Sequence, residues 1–368
     1  VWTQFGKLRL HPNLFVFLVG PPGVGKTVAL NPMGEILRKS GAVTIAPNDI
    51  TKQGLLDALA KSTKGVMHNE RPFDYSFLAL HIAELSNFMS KYDDALAGLL
   101  TDLFDCPPVN EEQKRGQGDK SVVINNPGIS FVIGTATQNL GNTIAEEMWS
   151  SGFMARVIMV YSADKIIPLN MFEEVDVEEK VRDELECGLR RVGEFKGPLM
   201  WLPQAQALLQ AFRTSGDADA PLHNRLTHYV TRRWMHLAKL CMVAALSDER
   251  MVVGPEDFHL AHSWLLSAEA DMPEIFKDMV SHADGQIHEE LKNWMFNAHL
   301  RSNRKPIPAG LLYAFLAPKI ASHTIPNIIA VAEAAGYISR VAGTEPGPNA
   351  YYVPGPHGND RITNRGVL

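Results

Sequence analysis

Residues 20–27, GPPGVGKT, fit the spacing G-x-x-x-x-G-K-[ST], and each residue type there has a chemical use. Glycines let backbone N–H groups wrap phosphate oxygens, Lys26 reaches the outer phosphates, and the Thr27 hydroxyl can ligate Mg²⁺. The segment follows the apolar run LFVFLV and precedes a helical pattern, the context this chemistry requires. Candidate nucleotide-binding residues are Pro22, Gly23, Val24, Gly25, Lys26, Thr27 and Val28, with ATP and Mg²⁺ as expected ligands and Thr27 on the metal.

Hydrolysis also needs a carboxylate near the γ-phosphate to activate water. The next long apolar run, in SFLALHIAELSNF, ends in Glu84, which takes that role. Ala83 stands where a second acid would commonly precede it and cannot touch a metal. Mg²⁺ is then left to Thr27, phosphate oxygens and water, or to a carboxylate borrowed from Asp49, Asp74 or Asp93. The run ISFVIGTATQNL ends in Thr135, Thr137 and Gln138; Gln138, only slightly ahead of Thr137, is the candidate to hold the attacking water. The catalytic set is thus Lys26, Glu84, Gln138 and Arg156. Arg156, in SGFMARVIMVY, lies just before a strand and can reach a phosphate only from a neighbouring subunit.

Two basic clusters complete the inventory. Lys114, Arg115 and Lys120 flank the turn-forming GQGD, a hairpin pattern suited to tracking a nucleic-acid backbone through a ring. In RLTHYVTRRWMHLAKLCMVAAL, Arg225, His228, Arg232, His236 and Lys239 recur at steps of three and four and form a basic helix face. Arg232 is the candidate phosphate sensor of that face.

The elements that must position these residues follow from hydrophobic patterning. Up to about residue 165, apolar runs too continuous for a one-sided sheet alternate with helical patterns, which predicts an α/β core with a mostly parallel sheet, residues 1–165. Residues 166–283 lose the strand signal and predict a helical lid domain, opening on the acidic FEEVDVEEKVRDELE. Residues 284–356 read as three helices and a Gly/Pro-rich strand pair, the pattern of a winged helix, and residues 357–368 as a flexible tail. The 368 residues are 45% hydrophobic, enough for more than one core. A net charge of -6 excludes a globally basic nucleic-acid coat but not a local basic channel. Three scattered cysteines indicate neither a disulfide framework nor a zinc site, and a reducing compartment is expected. No run reads as membrane-spanning, so a cytoplasmic location is expected, with no membrane partner. The opening VWTQFGKLRL lacks Met, as a fragment or processed product would.

Taken in order, glycine-rich turn, acidic strand, basic hairpin, polar strand end, arginine, helical lid and winged helix resemble the AAA+ ATPases, in particular ring motors with a hairpin before the sensor strand. NPGISFVIGTATQNL and GFMARVIMVY further resemble segments of helicase-like ATPases encoded by phages, prophages and mobile elements beside primase modules. The resemblance covers most of residues 10–265. It implies a homo-oligomeric ring, commonly a hexamer, with single-stranded DNA in a central channel. It implies an ATP-dependent replicative helicase with a primase or another replication protein as partner, in the bacterial host cytoplasm. An ATP-controlled initiator, helicase loader or regulatory switch is the alternative.

Overall fold

The computed structural model describes residues 1–47, 50–68, 70–113, 121–150, 152–165, 179–215, 219–343, 345, 347 and 349–356. The chain divides into two compact units, Val1–Lys277 and Asp278–Leu368.

The first unit opens with an antiparallel hairpin, β1 (Thr3–Phe5) and β2 (Leu8–Leu10), turned at Gly6 in the left-handed region. β3 (Phe15–Val19) leads into α1 (Lys26–Ser40), which Gly41 ends with φ 66°. Then come β4 (Thr44–Ile45), α2 (Lys52–Lys61), β5 (Thr63–His68), β6 (Arg71–Ile82) and α3 (Asp94–Phe104). The hairpin strands β7 (Val109–Gln113) and β8 (Ser121–Asn125) precede β9 (Pro127–Thr135), followed by α4 (Thr137–Thr143), α5 (Glu146–Ser150) and β10 (Val157–Tyr161).

The central sheet runs β10-β3-β9-β6-β4 with every neighbour parallel, and β5 adds antiparallel to β6. This is an α/β architecture with a mostly parallel sheet, as the continuous apolar runs predict. Its centre is aromatic. Phe15 stacks on Phe131 at 4.0 Å, Phe17 on Phe131 at 5.6 Å, and Phe104 of α3 meets Phe15 edge-on at 4.9 Å. β6 is longer than the apolar run shows, because its first residues pair only with β5.

A helical layer follows: α6 (Glu179–Gly193), β11 (Met200–Trp201), α7 (Pro203–Thr214), α8 (Thr227–Ser247), β12 (Val252–Val253) and α9 (Pro255–Ala270). Leu209, Leu237, Cys241, Phe258 and Leu265 form its core, against which Val1 and Phe5 also pack. Inside it, Arg233 and Glu269 make a buried bidentate pair that Tyr229 joins through its hydroxyl at 2.9 Å.

α10 (Met272–Arg301) begins in the first unit and continues into the second. There β13 (Ile307–Pro308), α11 (Ala309–Leu316), α12 (Ile325–Ala334), β14 (Ile338–Arg340) and β15 (Tyr351–Pro354) give a helical cluster and an antiparallel sheet of order β13-β15-β14. Leu291, Met295, Leu312, Ile329, Ile338 and Tyr352 fill that core. Twelve helices are present among the described residues, none long and apolar enough to cross a membrane. The expected tail, residues 357–368, lies outside the described residues.

Candidate nucleotide site

The turn between β3 and α1 owes its shape to glycine. Gly20 donates its N–H to the Thr135 carbonyl at 3.3 Å, and a Cβ on it would stand 2.3 Å from the Ser162 carbonyl oxygen. Gly23 and Gly25 have φ of 84° and 91°, where other residues are strained. Val24 is buried between them, while Pro22, Gly23, Thr27 and Val28 are exposed. The first turn of α1 holds no acidic residue and its N-cap, Gly25, contributes no side-chain cap, so the positive end of the helix is not offset locally. Lys26 folds back: its Nζ donates to the carbonyls of Gly20 at 2.7 Å and Pro21 at 2.9 Å. Burial pulls the Lys26 ammonium below its ordinary value, and the charge of Glu84 acts in the opposite sense.

Glu84 enters the site by strand register. Val19 of β3 pairs with Thr135 of β9, and Ile82 of β6 pairs with Ile133, so the residue two beyond Ile82 comes level with Thr135. Thr135 Oγ1 donates to Glu84 Oε1 at 3.1 Å. Gly134 allows this closeness, since a Cβ there would lie 2.6 Å from the Ala83 carbonyl oxygen. β9 intervenes between the strand of the turn and the strand of the carboxylate. Two strand spacings leave about 10 Å, room for a phosphoryl group and a water.

The alternative carboxylates are placed elsewhere or otherwise engaged. Asp74 sits near the start of β6, about 26 Å along the strand from Ile82. Asp93 is the N-cap of α3, where its Oδ1 accepts from Leu96 N at 3.1 Å. Asp49 lies outside the described residues. No cluster of three His, Cys, Asp or Glu side chains able to hold a metal occurs among the described residues.

Thr137 and Gln138 open α4 rather than ending the strand. Gln138 is exposed, whereas Thr137 is fully buried and its Oγ1 has no hydrogen-bond partner among the described residues. Arg156 stands at the opposite end of the sheet. Val157 pairs with Phe15, so Arg156 is six residues, or roughly 20 Å, from the level of Gly20. It is buried, donating through Nη1 to the Gly152 carbonyl at 2.9 Å and through Nη2 to Asp105 Oδ2 at 2.6 Å. Lys114, Arg115 and Lys120 lie outside the described residues; the strands that flank them, β7 and β8, pair from Val109↔Asn125 to Gln113↔Ser121.

No protein-family model and no curated protein matches this chain.

The basic stripe of α8 differs from its sequence reading as one open face. Arg225 lies in a 3₁₀ turn just before α8 and pairs with Glu146, and His228 is exposed, but the later turns of α8 are packed inside the unit. His236 Nε2 bonds the Ala155 carbonyl at 3.0 Å, and Lys239 Nζ donates to Asn13 O at 3.1 Å and Asn13 Oδ1 at 2.6 Å. Lys239 also sits 3.8 Å from the centre of the Phe104 ring. Burial lowers His236 to about 4 and Lys239 to about 8. Arg232 is half-buried one turn before His236, its guanidinium depressed by burial and then by Arg156. That places it by Arg156 rather than by Lys26. Sequence reading missed three participants: Thr135 as partner of Glu84, Asp105 as partner of Arg156, and Asn13 as anchor of Lys239.

The carboxyl edge of the sheet therefore gathers an uncapped helix end, a partly desolvated ammonium and a half-buried carboxylate held by one hydroxyl. Those groups suit binding of a polyphosphate and activation of a water beside it.

Proposed function

We propose that this chain is the ATP-hydrolysing subunit of a ring-shaped DNA motor of the AAA+ class, most specifically a replicative helicase of a phage or mobile element acting on single-stranded DNA. The observation that supports the proposal is the row Gly20, Thr135, Glu84 across β3, β9 and β6, in which the glycine-rich turn and the carboxylate stand two strand spacings apart. Lys26 exchanges its two carbonyl partners for phosphate oxygens, and Glu84 takes the proton of the attacking water. The Thr27 hydroxyl would help hold Mg²⁺, which would supply positive charge to offset that of the leaving phosphates.

On this reading α7, α8 and α9 are the lid over the core, and the second unit, with its helices and the β13-β15-β14 sheet, is a winged helix. Arg156 acts on the nucleotide of a neighbouring copy, because roughly 20 Å of strand separates it from its own turn. Lys114, Arg115 and Lys120, outside the described residues, are the DNA contacts on this reading. An initiator that reads its site through the second unit gains no support from α12, whose exposed Pro326, Asn327, Ala330, Val331 and Ala334 carry no charge.

The test is hydrolysis and unwinding by the purified chain. ATP turnover should rise with single-stranded DNA, a forked duplex should separate, and the Lys114→Ala, Arg115→Ala double variant should lose the stimulation while still binding nucleotide. Turnover indifferent to DNA, in a protein that forms rings but separates no duplex, leaves an ATPase that is not a helicase.

A further inference from the structure

Three arginines among the described residues meet a carboxylate with the full side of the guanidinium, whereas Arg190 and Arg340, both more exposed than Arg156, each use one nitrogen. Arg233 uses Nε and Nη2 on Glu269, Arg225 uses Nε and Nη2 on Glu146, and Arg191 uses the same two nitrogens on Glu249. Arg156 does not. Asp105 engages Nη2 at 2.6 Å, while Nε is buried without a hydrogen-bond partner among the described residues. An unmade bond to a buried, charged donor is costly, and a planar fork has two parallel N–H groups to offer. The two sides of the pair also differ in exposure: the Arg156 side chain is 7% exposed and that of Asp105 is 53%. The weakly held partner is thus the one facing solvent. Arg232, on α8 one turn before the His236 that bonds the Ala155 carbonyl, brings a second positive charge to this carboxylate.

We infer that the Arg156 fork is an anion site which Asp105 fills only halfway in the lone protomer, and that a phosphoryl group of a nucleotide held by another copy of this chain displaces it. This rests on the reading of Arg156 as acting in trans. A phosphoryl group offers two oxygens to Nε and Nη2 together, which the Asp105 carboxylate does not do here. Asp105 is accordingly a competitor that keeps the arginine ordered until a neighbour docks. Assembly and hydrolysis become linked through one exchange of anions.

The experiment follows assembly of the full chain by sedimentation, with ADP and aluminium fluoride as the phosphoryl probe, alongside maximal ATP turnover per protomer. Asp105→Asn should assemble at about two- to fivefold lower protein concentration, the range open to a half-exposed ion pair, with turnover no lower than native. Asp105→Glu, long enough to span both nitrogens, should shift assembly the opposite way. Loss of turnover in Asp105→Asn as deep as in Arg156→Ala would overturn the inference and make Asp105 a positioning residue that Arg156 needs. Unchanged assembly in both Asp105 variants would overturn it too. The underlying reading fails separately: Arg156→Ala with native turnover in assembled protein removes Arg156 from the reaction and the displacement with it.

Discussion

The two edges of the central sheet handle charge in opposite ways. At the carboxyl edge, among the described residues, Lys26 is held by two carbonyls of its own turn and Glu84 by one hydroxyl. At the amino edge, Lys239, Asn13 and His236 interlock with one another and with backbone carbonyls from β9, α3 and the turn before β10. Few partners at one edge leave side chains able to exchange them for a ligand. Many partners at the other bind the helical layer to the sheet. The same residue types therefore serve chemistry or cohesion according to how many of their bonds the fold has already made.

The comparison is most exposed to a change at Glu84. Glu84→Gln keeps the shape and its contact with Thr135 but loses the base, so turnover should fall about 10²- to 10⁴-fold with ATP binding and thermal stability unchanged. Near-normal hydrolysis would return this carboxylate to a strand-end solvent contact. Acid should act at the other edge. His236 ionises at about 4 in the folded chain against an ordinary 6.5. Above pH 6.5 both states hold it neutral; as pH falls toward 4 the unfolded chain takes up a proton that the folded chain refuses. Stability should decline across that window by up to about 3 kcal/mol, measured by urea unfolding, and His236→Gln should flatten the decline.

Much of the carboxyl edge was legible because its signals are local. The glycine spacing of residues 20–27 predicts the turn directly, and the end of an apolar run predicts Glu84. Thr135 was visible as a polar strand end, yet choosing it over Thr137 or Gln138 needs the register that pairs Ile82 with Ile133. Helical periodicity placed Arg232, His236 and Lys239 on one face of α8. It could not say what covers that face, since the partner of Lys239, Asn13, lies 226 residues away. β5, with a lysine and a glycine in TKGVMH, has no apolar alternation to announce it and exists through its pairing with β6.

A smaller effect is expected from Lys239→Met. It keeps the length of the side chain over Phe104 but strips a donor from Asn13 O and Oδ1, while also removing the cost of a buried charge. Net destabilisation of about 1–2 kcal/mol follows, with nucleotide affinity of the folded protein unchanged. A fall in affinity without a fall in stability would mean that the amino edge also reports to the nucleotide, and the division between the edges would blur.

Thr135→Val asks how finely the carboxyl edge is tuned. Valine keeps the β-branched shape in a fully buried position and removes the hydroxyl whose Oγ1 lies 3.1 Å from Glu84 Oε1 and 3.2 Å from the Ala136 carbonyl oxygen. Freed of this donor, Glu84 loses its aim, so turnover at saturating ATP should drop by about five- to tenfold, equivalent to about 1 kcal/mol. KM for ATP should stay put, because the turn that holds the phosphates is intact. A rise in KM at constant turnover would instead show that Thr135 serves the turn, through the carbonyl it offers to Gly20, more than it serves the carboxylate.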